Sequence, residues 1–145
     1  RLPRAIRDLY KRQSLGWMGS AAVGAGVDKR RREGWIRVGA AAFLAHAASV
    51  VLKRIVRRKR PDYPYVRVGV KTPSKLSFPS SHATSTTAFL VAASRLTGCK
   101  APLLGVPVMM ASRMVLGVHY PTDTAVGAAI GAATAEVVMK GMKHE

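Results

Sequence analysis

The sequence predicts an all-α fold: a membrane helical bundle of four to five short transmembrane helices plus an N-terminal amphipathic helix. Three observations predict it. Hydrophobic residues make up 48% of the chain, yet 24 Lys/Arg against 7 Asp/Glu give a net charge of +17. The charges fall in blocks, and the segments between them are nearly charge-free. That is the pattern of membrane helices joined by basic loops, whereas a basic soluble domain spreads its cations along helix faces. The apolar segments are also rich in Gly and Ala, which lets membrane helices approach closely. A chain of 145 residues is expected to form one domain over 1–145. Aromatic residues are only 6%, too few for a base-stacking platform, so no nucleic-acid partner is expected. The lone Cys99 excludes an intrachain disulfide and argues against a Cys-based metal site.

Taken in order, residues 1–12 place Leu2, Ile6, Leu9 and Tyr10 at helical spacing among Arg and Lys, which predicts an amphipathic helix lying on a membrane surface. The first apolar run follows this charged stretch and lacks a small-residue cleavage pattern, so no cleavable signal peptide is expected. Residues 14–27 form a Gly-rich apolar helix of about 21 Å, short for a hydrocarbon core of about 30 Å. A charged turn follows from Asp28 to Glu33. Residues 35–52 give the longest apolar run, with Trp35 suited to the interface and Arg37 able to snorkel. His46, in its middle, is expected to face the bundle. The helix should continue to about Lys59 and stop before Pro61. Four prolines then mark an irregular loop up to Pro79. Ser80-Ser81 caps the next helix, which Gly98 ends. Residues 101–118 form another apolar segment, kinked by Pro107. The last helix spans residues 122–140 and carries Gly127 and Gly131 at the spacing of close helix packing.

Chain parity then gathers the chemistry. Lys53 and Arg60 stand at the exit of one helix, and Ser80, Ser81 and His82 at the entry of the next. The chain crosses and returns, bringing Arg113, His119 and Asp123 back to the same end. Three cations can bind the oxygens of one phosphate, Arg by forked donors. A helix start offers free N–H groups to an anion. Two histidines can divide the nucleophile and general-acid roles, and a nearby Asp steadies an imidazolium. No carboxylate cluster is available for Mg²⁺, so neither metal nor other cofactor is expected.

Three stretches, Lys53-x6-Arg60-Pro61, Pro79-Ser80-Ser81-His82 and Ser112-Arg113-x5-His119-x3-Asp123, resemble in order the three signature motifs of the phosphatidic acid phosphatase type 2 (lipid phosphate phosphatase) superfamily. The resemblance covers residues 53–123. One departure is Ser81, where the family usually has Gly before the motif histidine. A backbone N–H remains there, so phosphate binding is expected to survive. The resemblance implies that His119 is the nucleophile, that Asp123 orients it, and that His82 protonates the leaving alcohol. It implies that Lys53, Arg60 and Arg113 clamp the phosphate, assisted by Ser80 and the Ser81 backbone. The remaining cations of the first stretch, Arg54, Arg57, Arg58 and Lys59, are not motif positions and are expected to meet anionic lipid headgroups.

The resemblance implies a metal-independent hydrolase of the bacterial plasma membrane acting on a lipid or polyprenyl phosphate. The Ala/Gly/Val/Arg-rich composition suggests a high-GC bacterium, which puts decaprenylphosphoryl-phosphoribose, a cell-wall arabinan precursor, first among the substrates. Phosphatidylglycerophosphate, phosphatidate and undecaprenyl diphosphate are the alternatives. If every apolar helix spans, the active end carries 15 Lys/Arg and the other end 9, which favours a cytoplasmic active site. Homo-oligomers are expected to be possible through the small-residue faces. Two other readings share the motifs: a vanadate-dependent haloperoxidase, since vanadate mimics phosphate, and a non-catalytic basic module that binds anionic lipid.

Overall fold

The computed structural model describes residues 13–65, 68, 72 and 74–140. The amphipathic helix expected over residues 1–12 lies outside them. Within them the chain is helical, with one isolated antiparallel bridge, Lys59 to Leu76, and no extended strand. Helix α1 covers Gln13–Val27. A single 3-10 turn, Lys29–Arg31, is capped by the side chain of Asp28 and leads into α2, Arg32–Val56. Helix α3 covers Ser81–Thr97, α4 Gly105–Val115 and α5 Pro121–Met139.

Helix α3 is the centre of the bundle and touches all four of the others. Its residues Ala83 to Phe89 are buried without interruption. The run is Ala, Thr and Ser up to Phe89, so neighbouring backbones come close on every side. The hydroxyls do not stay unmet: Thr84 Oγ1 donates to Ser80 O at 2.8 Å and Ser85 Oγ to Ser81 O at 2.9 Å. This back-bonding to the preceding turn is what lets polar side chains sit inside. Helix α1 docks on α3 through Trp17, which stacks on Phe89 at 4.6 Å and donates Nε1–H to Thr86 Oγ1 at 2.9 Å. The remaining core is small: Ala41, Ala42, Ala92, Ala93 and Ala135 around Val38, Leu96 and Met139.

The expected Gly127/Gly131 packing is present against α3. A Cβ on Gly127 would stand 2.8 Å from Ser80 O, and one on Gly131 would run into Thr84 O. Backbone, not a flexible side chain, bounds both positions. This contact fixes the axis of α5 relative to α3, and so places the N-terminal ends of both helices together.

Two expected boundaries shift. Helix α2 ends at Val56 and not near Lys59, because Arg57 turns left-handed with φ 53° and its N–H returns to Lys53 O. Arg60 N then donates to Lys75 O at 3.2 Å and Ser77 N to Arg58 O at 2.8 Å, which closes the base of the following loop. Pro107 does not kink a long helix. A 3-10 turn, Ala101–Leu104, precedes α4, and Pro107 falls in the first turn of α4, where a missing N–H is harmless. Gly98 ends α3 in the left-handed conformation as expected.

Among the described residues, one helical stretch, Lys29–Val56, is long and apolar enough to cross a membrane, while Leu15–Val27 and Ala101–Val115 are shorter apolar helices. Four to five spans are therefore not established by helix length alone.

Gly131→Ala should force α3 and α5 apart and cost about 1–3 kcal/mol as overpacking. Thermal unfolding in detergent checks it against Gly19→Ala, whose added Cβ meets nothing within 4 Å and should be neutral or slightly stabilising.

Candidate active site

The site begins where α5 begins. Tyr120 is the N-cap and Pro121 the first helical residue. Asp123, in the first turn, reaches back so that Oδ2 accepts from Tyr120 N at 2.8 Å. This is the carboxylate half of a capping box, and the helix N-terminus favours its charge. Asp123 is wholly buried. Its Oδ1 accepts from Arg58 Nη1 at 3.0 Å, and its backbone carbonyl accepts from Ser80 N at 3.0 Å. Oδ2 also faces His119 Nδ1 at 3.6 Å, a few tenths of an ångström beyond a hydrogen bond.

His119 reaches this position through Gly117. Helix α4 stops at Val115, and Gly117 takes φ 67°, a conformation that glycine adopts without strain. Val118 and His119 then turn inward and are buried. On the far side of the imidazole, Arg60 Nη1 lies 3.2 Å from Nε2. The same nitrogen donates to Val118 O at 2.8 Å, and Arg60 Nε donates to Ser74 O at 2.8 Å. A guanidinium only donates, so Nε2 is the acceptor and the ring proton belongs on Nδ1, toward Asp123. The lone pair on Nε2 thus faces a cation.

The other cations surround this pair. Lys53, buried in the last turn of α2, points Nζ at Leu76 O, 3.4 Å away. Arg113 is 2% exposed and is the buried residue of α4. Its charge is felt at both Arg60 and His119. Burial, and next the neighbouring Arg113, push Arg60 down to about 10, against the pull of Asp123. Arg60 therefore stays protonated at neutral pH. Burial pushes His119 below its ordinary value, and the charges of Arg60, Arg113 and Lys53 reinforce this against the Asp123 contact. The imidazole is thus held in its neutral form at pH 7.

The start of α3 completes the end of the bundle. Ser80 is the N-cap: its Oγ accepts from Ala83 N at 3.3 Å, and its own N–H is taken by Asp123. Ser81 is the first residue of the helix, where backbone N–H groups face outward from the helix end. The His82 side chain is half-buried on this same turn. Parity thus brings Lys53, Arg60, Ser80, Ser81, His82, Arg113, His119 and Asp123 to one end.

Arg58 is more than a surface cation: it is exposed, but its guanidinium also reaches inward. It donates to Asp123 and, at 2.8 Å, to Thr122 Oγ1, and its guanidinium lies over the Phe78 ring at 5.0 Å and the Tyr120 ring at 5.9 Å. Arg54, Arg57 and Lys59 are exposed. Sequence reasoning missed Arg58 because the left-handed turn at Arg57, which redirects it, has no glycine or asparagine to announce it. A carboxylate destined for burial without a full complement of donors was the available signal.

A bundle that collects cations, a helix start and an acid-backed histidine at one end is a phosphate-ester site on an all-α scaffold. The chain belongs to the PAP2 superfamily, which it matches over residues 34–145. It is 57% identical over 118 residues to the decaprenylphosphoryl-5-phosphoribose phosphatase of Mycolicibacterium smegmatis, a match covering 81% of this chain and 66% of that protein. It is 53% identical over 124 residues to the protein of the same name from Mycobacterium tuberculosis, covering 86% of this chain and 70% of the relative. The chain thus spans about two thirds of the length of these relatives. No solved structure matches it.

The imidazole of His119 should titrate below its ordinary 6.5, as ¹⁵N NMR of labelled protein in detergent would read; a midpoint above 6.5 would contradict the burial argument. The sign for stability follows. The unfolded chain takes up this proton near 6.5 and the folded chain only at lower pH, so His119 favours the folded state above 6.5 and that contribution is lost as pH falls below it.

Proposed function

We propose that this chain is a multi-pass phosphatase of the bacterial plasma membrane that hydrolyses the phosphate monoester of decaprenylphosphoryl-phosphoribose through a phosphohistidine. The observation that carries the reading is the His119 ring, held with Nε2 toward Arg60 and Nδ1 toward Asp123. The substrate comes from the names of the relatives described above. In the first step Nε2 of His119 attacks phosphorus, the bond from phosphorus to the ribose oxygen breaks, and His82 gives its proton to that oxygen. Lys53, Arg60 and Arg113 hold the three phosphoryl oxygens, with the Ser81 N–H and the Ser80 turn at the start of α3 in support. Their charge stabilises the transition state. Asp123 steadies the imidazolium-like ring as positive charge develops. In the second step water attacks phosphorus, His82 takes the water's proton, the P–N bond breaks, and inorganic phosphate leaves. No step calls for a metal.

The membrane reading rests on what faces outward. Val23, Phe43, Leu44, Ile55, Val115 and Val137 are exposed large apolar side chains on four different helices. Alternate helices run in opposite directions, so all must cross if the ends are to lie at opposite faces. The 15-, 17- and 19-residue helices α1, α3 and α5 rise about 22, 26 and 28 Å, near enough to a core of about 30 Å for local thinning and snorkelling to close the gap. If every helix spans, the positive-inside count of 15 against 9 supports a cytoplasmic active end. Exposed Arg54, Arg57 and Lys59 meet anionic headgroups there.

Phosphate release from a panel of polyprenyl and lipid phosphates tests the reading. His119→Ala should lower kcat by on the order of 10³ or more, with no acid-labile phosphoprotein trapped, and EDTA should leave the wild type unaffected. His82→Ala should lose about 10²–10⁴ in rate on the natural alkyl phosphate and recover most of it on an aryl phosphate, whose leaving group needs no proton. No release by the wild type, with binding to anionic lipid unchanged in His119→Ala, would favour the non-catalytic basic module. Sidedness is read with a membrane-impermeant thiol reagent on intact cells. Exposed Cys99, at the far end, should label in the wild type, whereas Lys75→Cys in a Cys99→Ser background should not. The reverse pattern would place the site outside.

A further inference from the structure

Resting on the phosphatase reading, we propose that Arg58 is a positioning residue for the reaction: it holds the Asp123 carboxylate in the rotamer that presents Oδ2 to His119. Asp123 has two oxygens and four claims on them, one of them from the Ser77 side chain. Tyr120 N fixes Oδ2 from the helix start, at 2.8 Å, and His119 Nδ1 shares that oxygen at 3.6 Å. The terminal torsion of Asp is broad and two-fold, so the other oxygen needs a partner of its own to hold that rotamer firmly. Arg58 occupies it, donating at 3.0 Å. Among the described residues this is the ion pair between Asp123 and an arginine or lysine.

Arg58 is itself held from three directions. Thr122 Oγ1 accepts a second hydrogen bond at 2.8 Å, and the guanidinium lies over the rings of Phe78 and Tyr120 at 5.0 and 5.9 Å. A long side chain that is 41% exposed would otherwise sample many rotamers. The left-handed Arg57 aims it: the turn ends α2 and swings the next residue toward α5. A non-glycine residue at φ 53° is strained, and the contacts of Arg58 are what the turn secures.

The arrangement also separates two kinds of cation. Lys53, Arg60 and Arg113 act electrostatically on one another around the place for phosphate. Arg58 reaches the site through Asp123 alone, behind the histidine as seen from Arg60. It should therefore leave substrate binding nearly untouched and act on turnover. Removing a group that orients a reacting side chain from behind lowers activity by roughly 10- to 100-fold.

The experiment measures kcat and KM for phosphate release by Arg58→Ala, Arg58→Lys, Asp123→Asn and Arg58→Ala/Asp123→Asn, with Arg113→Lys as a clamp control. Arg58→Ala should lower kcat roughly 10- to 100-fold with KM within about threefold, whereas Arg113→Lys should raise KM. Arg58→Lys keeps the charge but loses the fork and the ring stacking, so it should recover part of the loss. In the Asp123→Asn background, Arg58→Ala should cost no further activity, since both changes break the same chain of contacts. A KM effect without a kcat effect, full additivity with Asp123→Asn, or wild-type kcat in Arg58→Ala would each overturn the proposal. If Arg58→Ala folds poorly, Arg58→Lys and its additivity with Asp123→Asn decide the matter. A wild type that releases no phosphate from any substrate would instead sink the phosphatase reading on which this one stands.

Discussion

Asp123 is where four segments of the chain are tied together. Its carboxylate takes Tyr120 N at the start of α5 and Arg58 after α2, and it faces His119 after α4. Its carbonyl takes Ser80 N at the start of α3. A fully buried carboxylate is tolerable only when its charge is matched and its lone pairs are used, and stripping a partner from such a pair is costly, about 3–5 kcal/mol in general. The need to satisfy one buried charge is therefore what holds three helix ends and a loop in register. The residue these contacts immobilise stands beside the His119 imidazole.

That convergence depends on how close the helices lie. Helix α3 carries Ala, Ser and Thr on every face, and α5 meets it through Gly127 and Gly131 with backbone against side-chain stubs. Close packing of this sort yields dispersion contacts without bulky side chains and suits a surrounding that is itself apolar. It also explains how a chain with so few large core residues keeps a defined site: rigidity comes from backbone approach and internal hydroxyl bonding, not from a thick hydrophobic centre. Lys53, Arg60 and Arg113 are held close together within that frame, with their mutual repulsion borne by the fold.

Much of this was legible in the sequence. Ser80 as a cap, Gly98 as a stop, the Gly127/Gly131 spacing and the alternation of apolar runs with charged turns all follow from local rules: a cap needs an acceptor, a left-handed end needs glycine, a close approach needs no Cβ. Alternation alone gathered Lys53, Arg60, His82, Arg113, His119 and Asp123 at one end, because each short helix reverses the chain's direction. The motif spacing then carried family membership.

What the sequence could not supply was any feature set by contacts between distant segments. The left-handed turn at Arg57 has no sequence mark, so α2 reads as longer than it is and Arg58 reads as one more surface cation. Pro107 reads as a kink because only the preceding 3-10 turn makes it the opening of a helix. The roles within the cation group were likewise undecided: Arg60 against Nε2, Arg58 behind Asp123. The sequence by itself determined which residues end up at the same end of the bundle, since that depends on helix count and direction. Only the tertiary structure decided which cation faces the phosphate place and which one holds the carboxylate, since that depends on a backbone turn and on charges that find each other across 65 residues of chain.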